Sequence, residues 1–373
     1  MRDIINVGVN DHCIDLFEGQ YAVPDGVSYN SYVILDEKIA VMDTVDGRFT
    51  REWLENLEKA LGERRPDYLV VQHMEPDHSG SLLAFAEKYP GAQIAASQKA
   101  FGMMAQFFGA DFADRRLTVA EGSTLPLGRH TLTFYAAPMV HWPEVIVTYE
   151  EADKVLFSAD GFGKFGALDR EGDWADEARR YYIGIVGKYG APVQTLLKKV
   201  AALDIETICP LHGPVLTGDL GKYLKLYDTW SSYRPEEKGA LIAYASFYGH
   251  TKAAAEQLAD ELKKAGFGPV VLRDLYRDDW AAAVADAFRY SHLVIASPTY
   301  NGDMAPQMDM FLRHLSARGY RDRAVGIIEN GTWAPLAGKA MKAALEPAVS
   351  LRSAMNAENR AQVKALADAM IQA

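Results

Sequence analysis

The fold is decided by residues 71–80, which read Val71-Gln72-His73-Met74-Glu75-Pro76-Asp77-His78-Ser79-Gly80. Four potential metal ligands occupy six consecutive positions of this stretch: His73, Glu75, Asp77 and His78. The apolar, β-branched run at 68–71 predicts a buried strand, so the ligands follow the carboxyl end of that strand. We expect Ser79 to cap a helix that comes next.

A tight strand-to-helix turn directs neighbouring side chains apart. We expect His73 and Glu75 to point to one side and Asp77 and His78 to the other, which suits two metal ions better than one. Ligands at a strand end are held rigidly. Imidazole and carboxylate without thiolate suit iron, manganese or zinc. A carboxylate at Glu75, where a second histidine would suit hydrolytic zinc, favours a harder, redox-active ion.

Three further candidate ligands, His141, Asp160 and His212, each follow a strand-like segment. His141 precedes a Trp-Pro turn, and His212 lies between a short strand and a sharp turn. Asp160 is followed by Gly161, which allows a close backbone approach, so this aspartate is placed to bridge two metals. The candidate metal ligands are therefore His73, Glu75, Asp77, His78, His141, Asp160 and His212.

Composition limits the other possibilities. A chain of 373 residues with 49% hydrophobic residues is long enough for two domains with separate cores. The net charge of −11 argues against nucleic-acid and anionic-membrane partners. No run of about 18 apolar residues and no signal-peptide pattern is present, which predicts a soluble, cytoplasmic protein. Two cysteines, Cys13 and Cys209, are too few for an iron–sulfur cluster, and we expect both in the core.

The pattern changes near residue 237. Before it, strands alternate with helices such as the one expected over 50–61, and a long aromatic-rich helical region runs from Trp174 to Leu203. The polar segment 231–238 lacks apolar periodicity, so we place the boundary between domains 1–237 and 238–373 there. Beyond it, strict strand and helix alternation predicts a parallel, doubly wound sheet of order 2-1-3-4-5. The span from Lys339 to Val349 is short for a helix plus a turn, which indicates a lost loop.

Three loops at one edge of this second sheet predict a flavin site. The first offers hydroxyls and free backbone amides at a helix N-terminus, which suit a phosphate, and the other two flank the topological switch point. Planar isoalloxazine stacks well on aromatic side chains of the kind found there. The predicted cofactor contacts are Ser246, Phe247, Tyr248, Gly249, His250, Thr251, Pro298, Thr299, Tyr300, Asn301, Gly302, Asn330, Gly331, Thr332 and Trp333.

The sequence resembles the flavodiiron proteins, also called A-type flavoproteins. The resemblance rests on the His-x-Glu-x-Asp-His spacing at 73–78, on the later ligands at 141, 160 and 212, and on three other segments. These are Leu16-Phe17-Glu18-Gly19, Gly26-Val27-Ser28-Tyr29-Asn30-Ser31-Tyr32 and His141-Trp142-Pro143. The resemblance implies an α/β chain, with a metallo-β-lactamase-like αββα sandwich before a flavodoxin-like domain and no rubredoxin extension.

The resemblance also implies a function. His73, Glu75 and His141 would hold one iron, Asp77, His78 and His212 the other, and Asp160 would bridge them, with Glu75, Asp160 and His141 as catalytic residues. FMN would feed this diiron site, which would reduce O₂ to water, NO to N₂O, or both. An external, rubredoxin-like donor and a head-to-tail homodimer, alone or as a dimer of dimers, are implied as partners.

Two departures from the family pattern affect the choice between O₂ and NO. Asp25 stands where many members have a histidine near the metals, and Glu144-Val145 stands where the family often has Asp-Ser. Two other functions remain open. One is a zinc-dependent hydrolase on the same scaffold, and the other is an FMN electron carrier whose metal site is not catalytic.

Overall fold

The computed structural model describes residues 2–342, 348–351 and 357–372. The chain divides into two compact units, Met1–Asp228 and Thr229–Ala373. Among the described residues, no helix combines the length and apolar character that a membrane crossing requires.

Unit 1 contains two six-stranded sheets and two small strand pairs. Its strands are β1 (Ile4–Asn6), β2 (Val9–Asp11), β3 (Leu16–Phe17), β4 (Tyr21–Ala22), β5 (Val27–Tyr29), β6 (Tyr32–Ile34), β7 (Ala40–Met42), β8 (Tyr68–Val71), β9 (Gln93–Ala96), β10 (Arg116–Thr118), β11 (Thr124–Pro126), β12 (Thr131–Ala136), β13 (Ile146–Glu150), β14 (Val155–Phe157), β15 (Thr207–Cys209) and β16 (Leu216–Thr217). The first sheet has the order β1-β6-β7-β8-β9-β10, and the second runs from β11 to β16 in sequence order.

The helices that begin in unit 1 are α1 (Thr50–Leu61), α2 (Pro76–Ser79), α3 (Leu82–Lys88), α4 (Gln98–Phe108), α5 (Trp174–Tyr181), α6 (Gly190–Val200) and α7 (Gly221–Ser231). A π-helical turn at Tyr182–Val186 and a 3₁₀ turn at Gly187–Tyr189 join α5 to α6. The expected helix at 50–61 is therefore confirmed. The expected aromatic-rich helical region forms two helices joined by these irregular turns.

The core of unit 1 lies between its two sheets. Ile34 and Val70 of the first sheet belong to the same buried cluster as Phe134, Phe157 and Cys209 of the second. Strand β8 has all four residues buried and pairs in parallel with β7 and β9. Burial on both faces explains its continuous apolar sequence, and the predicted strand is confirmed.

Two local expectations were wrong. Ser79 does not cap the helix that follows, because it ends the short helix α2 and its hydroxyl donates to the Met74 carbonyl oxygen at 2.8 Å. Ser81 occupies the N-cap position of α3 instead. Cys13 is exposed rather than in the core, whereas Cys209 is buried as expected.

Unit 2 is built on one parallel sheet. Its strands are β17 (Glu237–Tyr244), β18 (Val270–Asp274), β19 (Tyr290–Tyr300), β20 (Asp303–Met304), β21 (Ala324–Asn330) and β22 (Ala348–Leu351). Its helices are α8 (His250–Lys264), α9 (Trp280–Arg289), α10 (Pro306–Ala317), α11 (Ala337–Lys342) and α12 (Ala357–Gln372).

The parallel strands lie in the order β18-β17-β19-β21-β22, and β20 adds a short antiparallel pair to β19. Numbered within the unit, this order is 2-1-3-4-5, so the predicted doubly wound topology is confirmed. Buried side chains of α8 and α12, including Leu258, Leu262 and Leu366, pack on β17 and β19. The predicted loss of a loop before Val349 concerns residues 343–347, which lie outside the described residues.

Candidate functional site

Among the described residues, three clusters of side chains that could ligate a metal lie in unit 1, and two of them contain the predicted ligands. The first consists of His73, Glu75, His141 and Asp160, and the second of Asp77, His78 and His212. Within each cluster, one ligand atom from every residue lies within 4.8 Å of the others. All seven side chains are buried. The structure thus brings together every metal ligand that the sequence predicts.

The first cluster converges on two carboxylates. Glu75 Oε2 lies 3.2 Å from His73 Nε2 and 3.1 Å from His141 Nε2. Asp160 Oδ2 lies 3.3 Å and 3.0 Å from the same two nitrogens. Two imidazole nitrogens and two carboxylate oxygens therefore face one point.

The second cluster is built around two imidazoles. The Nε2 atoms of His78 and His212 lie 3.0 Å apart, and Asp77 Oδ2 lies 3.5 Å and 3.4 Å from them. Asp160 Oδ1 is 3.1 Å from His78 Nε2 and 3.7 Å from His212 Nε2. Asp160 therefore turns one oxygen toward each cluster.

The topology explains why residues so distant in sequence meet. The segment 73–78 follows β8 of the first sheet, whereas His141, Asp160 and His212 follow β12, β14 and β15 of the second. Strands β12, β14 and β15 run in the same direction, so their carboxyl ends share one edge. The ligands occupy the place where the carboxyl ends of strands from both sheets meet.

Hydrogen bonds on the outer side of the rings fix their orientation. Glu144 Oε1 lies 2.8 Å from His73 Nδ1 and also accepts the Met74 backbone N–H at 2.9 Å. His212 Nδ1 donates to the Ser28 carbonyl oxygen at 2.8 Å. A ring nitrogen engaged in this way leaves Nε2 to face the cluster, which is the usual arrangement of a metal-binding histidine.

Asp43 holds the start of the ligand segment in place. Its carboxylate accepts hydrogen bonds from the backbone N–H of Gln72 at 2.7 Å, the Gln72 side-chain amide at 2.8 Å and the His73 backbone N–H at 3.3 Å. Burial raises the pKa of Asp43 to about 6 despite these hydrogen bonds. Asp43 thus positions the loop rather than orienting a ligand ring.

The donor set fits metal cations. Both carboxylate oxygens of Asp77 and Oδ1 of Asp160 are buried and accept no hydrogen bond. Leaving such groups buried without a partner is costly. Three buried carboxylates also require positive charge nearby, and bound cations would supply it. The all-nitrogen-and-oxygen donor set suits iron, manganese or zinc.

The protonation states of these side chains also indicate a site for metal cations. Burial opposes ionisation of Asp160, but His73 and His78 nevertheless hold its pKa well below the usual range. Burial likewise disfavours the charged form of His141, yet hydrogen bonds to Asp160 and Glu75 raise its pKa to about 9. The carboxylates thus stay charged and attract protons to the imidazoles. A metal ion would displace these protons on binding.

Sequence reasoning did not single out Glu18 or the aromatic residues beside His212. Glu18 is exposed, but partial desolvation and the neighbouring Glu75 carboxylate raise its pKa to about 7. The rings of Phe17, Tyr29 and Tyr181 lie with their centroids 5.4–5.9 Å from that of His212. In the sequence, Phe17, Glu18 and Tyr29 lie in the family-like segments around Leu16 and Gly26, and Tyr181 lies in the aromatic-rich region from Trp174 to Leu203.

The two departures from the family pattern differ in their surroundings. Glu144 is buried against His73, as described above. Asp25 is exposed and borders a small cleft with Lys164, Arg170 and Arg180. Its effect on the choice of gas stays a prediction.

A cleft of about 480 Å³ opens in unit 2 at the loops after β17, β19 and β21. Most of the predicted cofactor contacts line it: Ser246, Phe247, Tyr248, His250, Thr251, Pro298, Thr299, Asn301, Gly302, Asn330, Gly331, Thr332 and Trp333. Ala334 and Leu336 also line it and were not predicted, whereas Gly249 and Tyr300 are absent from the lining.

The cleft combines a polar end with exposed aromatic rings. Gly249 has a positive φ of 88° and immediately precedes α8, so the loop turns sharply into the helix N-terminus. Ser246 Oγ accepts the backbone N–H of Gly249 at 3.2 Å and of Lys252 at 3.3 Å. Trp333 and Tyr248 are 93% and 91% exposed. An anion at the helix N-terminus and a planar ring on these aromatic faces both fit this cleft.

Comparison with known proteins extends these findings to both units. The family described as "ODP family beta lactamase" matches residues 27–213, half of the chain, and a flavodoxin domain family matches residues 241–365. A nitric oxide reductase of Moorella thermoacetica is 32% identical over 320 residues, which cover 83% of this chain and 79% of the relative. An anaerobic nitric oxide reductase flavorubredoxin of Aliivibrio salmonicida is 28% identical over 339 residues. This match covers 88% of this chain and 68% of the relative.

Two solved structures are similar over the whole chain. Rubredoxin oxygen:oxidoreductase from Desulfovibrio gigas superposes with a TM-score of 0.92 at 25% identity, covering 100% of this chain and 97% of its own. The flavodiiron protein from Giardia intestinalis gives a TM-score of 0.91 at 26% identity, covering 100% and 96%. The predicted metallo-β-lactamase-like and flavodoxin-like fold class is confirmed.

Proposed function

The chain belongs to the flavodiiron proteins, a family of oxidoreductases, and on that premise we propose that it reduces O₂ to water, NO to N₂O, or both. Relatives with names that refer to nitric oxide and to oxygen support both substrates. A detoxifying role toward one or both gases follows from this proposal.

The position of Asp160 carries the proposal. Its Oδ2 faces His73 and His141, and its Oδ1 faces His78. A carboxylate that offers one oxygen to each of two clusters suits a pair of metal ions that act together.

We assign the ligands accordingly. One iron would be held by His73, Glu75 and His141 and the other by Asp77, His78 and His212, with Asp160 able to serve both. Glu75, His141 and Asp160 form the side of the site that we assign to catalysis. Bound iron would supply the redox chemistry and open positions for a diatomic gas, with electrons delivered from FMN.

The residues of this chain contribute geometry and exclusion of water. Glu144 and the Ser28 carbonyl oxygen fix the rings of His73 and His212. The rings of Phe17, Tyr29 and Tyr181 keep water from the His212 side of the site. Glu18, whose pKa is raised to about 7 beside Glu75, is placed to hold a proton at the rim of the first cluster.

FMN is assigned to the cleft of unit 2. The phosphate would take the backbone amides near Ser246 at the start of α8, and the ring system would lie against Trp333 or Tyr248. The phosphate at a helix N-terminus requires no lysine or arginine. The predicted domain boundary at 237/238 places this whole cleft in the flavodoxin-like domain.

We propose that an external donor supplies the electrons for the reaction. The name of the D. gigas protein supports a rubredoxin-like donor. We propose a head-to-tail homodimer, alone or paired as a dimer of dimers, in which the flavin of one subunit meets the metals of the other.

The test is elemental analysis of protein isolated without oxygen, together with quantification of released flavin. The expected result is about two irons and one FMN per chain, followed by consumption of O₂ or NO by the reduced protein. Zinc without flavin would contradict the proposal and favour the hydrolase. Full cofactor content with no consumption of either gas would favour the electron carrier.

A further inference from the structure

A small cleft lies in unit 1 beside the chain segment that leads from Asp160 to α5. Its lining consists of residues 23–26, 164–166 and 170–172, together with Glu177 and Arg180. None of the seven candidate metal ligands lines it, so the cleft is separate from the metal site. Its volume is about 30 Å³, whereas one buried water needs about 10–15 Å³. The cleft therefore has room for a small ion and excludes larger organic molecules.

Lys164 directs its ammonium group into this cleft. The side chain is 7% exposed, so more than nine-tenths of it is buried. Gly213 makes room for the stem, because a Cβ atom at position 213 would lie only 2.7 Å from Lys164 Cγ. The Nζ atom lies beside Gly166, where an added Cβ would be 3.3 Å away from it. Since Gly166 itself lines the cleft, Nζ lies at the cleft wall.

The ammonium group of Lys164 has no counter-charge. Within the described part of the chain, Lys164 forms no hydrogen bond and no ion pair. Arg180, the other buried cation of the lining, differs in this respect. Its Nη2 donates to Glu177 Oε2 and its Nη1 to the Ala22 carbonyl oxygen, both at 2.7 Å. A buried cation without a partner is costly, and an anion bound in the cleft would remove that cost.

The remaining charged side chains of the cleft are exposed. Asp25 and Glu171 carry negative charge, but both are open to water and neither pairs with Lys164. Arg170, which is also exposed, adds positive charge to the same lining. Because solvent and salt screen exposed charges far more than buried ones, Lys164 determines the electrostatic preference at the buried end of the cleft.

We propose that this cleft is a binding site for a small, singly charged inorganic anion of the halide class, held by Lys164 Nζ with Arg170 at the open side. One unpaired buried ammonium group neutralises one negative charge, and the volume suits an ion of one or a few atoms. The site is independent of the proposed function. An anion that binds only the folded chain would stabilise it by mass action.

Bromide, which is detected by its anomalous scattering, tests the site directly. Crystals of the metal-loaded protein grown in sodium bromide are expected to show one bromide within hydrogen-bonding distance of Lys164 Nζ. Lys164→Met keeps an unbranched side chain without the charge and should lose this peak. Lys198→Met, at an exposed position outside the lining, is the matched control and should keep it. Absence of bromide at Lys164 in the wild type overturns the proposal.

Urea unfolding in chloride and in gluconate, at equal ionic strength, tests binding in solution. Gluconate is too large for the cleft, so the wild type and Lys198→Met should have higher urea midpoints in chloride. In Lys164→Met this difference should shrink, while its midpoint in gluconate should be no lower than that of the wild type, because an unpaired buried charge is gone.

Arg170→Gln tests the site without altering a buried side chain. The chloride effect on its urea midpoint should be smaller than in the wild type, with an unchanged midpoint in gluconate. If chloride raised the midpoint equally in the wild type, Lys164→Met and Arg170→Gln, a bromide peak at Lys164 would be an adventitious ion only, and the proposal would be overturned.

Discussion

Oε1 of Glu144 lies 2.8 Å from Nδ1 of His73, and both side chains are buried. This contact links a residue that departs from the family pattern to a ligand of the first cluster. Burial opposes ionisation of Glu144, but His73 and the Met74 backbone N–H lower its pKa, so the carboxylate stays charged. It therefore strengthens His73 as a ligand.

Replacing Glu144 should weaken metal binding. In Glu144→Ala we expect the iron affinity of the first cluster to fall about 10- to 100-fold, because the ring of His73 loses its outer hydrogen bond. Glu144→Gln should recover part of the loss, since its amide oxygen still accepts from Nδ1. Iron titration followed by absorbance checks this. Glu87→Gln, at an exposed position on α3, is the control. An iron affinity of Glu144→Ala equal to that of the wild type would contradict the role assigned to Glu144 in orienting His73.

Asp160 and Asp77 should differ in their effect on metal content. Asp160→Asn removes a ligand from both clusters, so we expect fewer than one iron per chain, whereas Asp77→Asn should retain about one. Elemental analysis of the two variants, isolated without oxygen, measures the difference. If Asp160→Asn kept two irons, Asp160 would not be the shared ligand.

The two ends of the flavin cleft should respond to different parts of the cofactor. Ser246→Ala disturbs the loop that receives the phosphate, so FMN affinity should fall about 10- to 100-fold with little change for riboflavin. Trp333→Ala removes an aromatic face, so both flavins should bind about 2- to 10-fold more weakly. Fluorescence titration measures each affinity. Phe107→Ala, an exposed ring in unit 1, is the control, and identical losses for both flavins in Ser246→Ala would contradict the phosphate assignment.

His292 should make unit 2 sensitive to acid. Burial and the nearby Lys238 lower its pKa in the folded protein below its usual value near 6.5. Because the unfolded chain then binds the proton more readily, stability is full above pH 6.5 and decreases as the pH falls below it. In His292→Gln this part of the pH dependence should disappear. The midpoints of urea unfolding at pH 7.5 and 5.5 measure this dependence. His250→Gln, at an exposed position, is the control. If the midpoint fell equally between the two pH values in the wild type and in His292→Gln, the prediction would be refuted.

The proposed dimer predicts a dependence on protein concentration. If the flavin of one subunit serves the metals of the other, multi-turnover activity per chain should fall on dilution as dimers dissociate. Activity and sedimentation measured over the same dilution series test this. A flavin-loaded monomer with full activity would rule out transfer between subunits.

Local patterns predicted much of the fold. The apolar runs at β8, β17, β19 and β21 identified buried strands, and their alternation with helices gave the order 2-1-3-4-5 in unit 2. The dense ligand segment at 73–78 and the strand ends before Asp160 and His212 indicated the metal site because strand ends are rigid and converge in this architecture.

Other features depend on contacts that sequence spacing does not encode. The contact of Glu144 with His73 joins residues 71 positions apart, and the residue preference at 144 alone gave no sign of it. Ser79 was expected to be a helix cap because serine favours that position, yet the two-residue step between α2 and α3 gives the cap position to Ser81.

The candidate metal ligands follow four strands that belong to two sheets, within a stretch that runs from His73 to His212. Bound ions would therefore cross-link the edges of the sandwich and close long loops of the chain, much as a disulfide does. Loss of the ions would leave mutually repelling carboxylates in the interior. Protease resistance of unit 1 should thus follow its metal content, and cells short of iron should accumulate less of the protein.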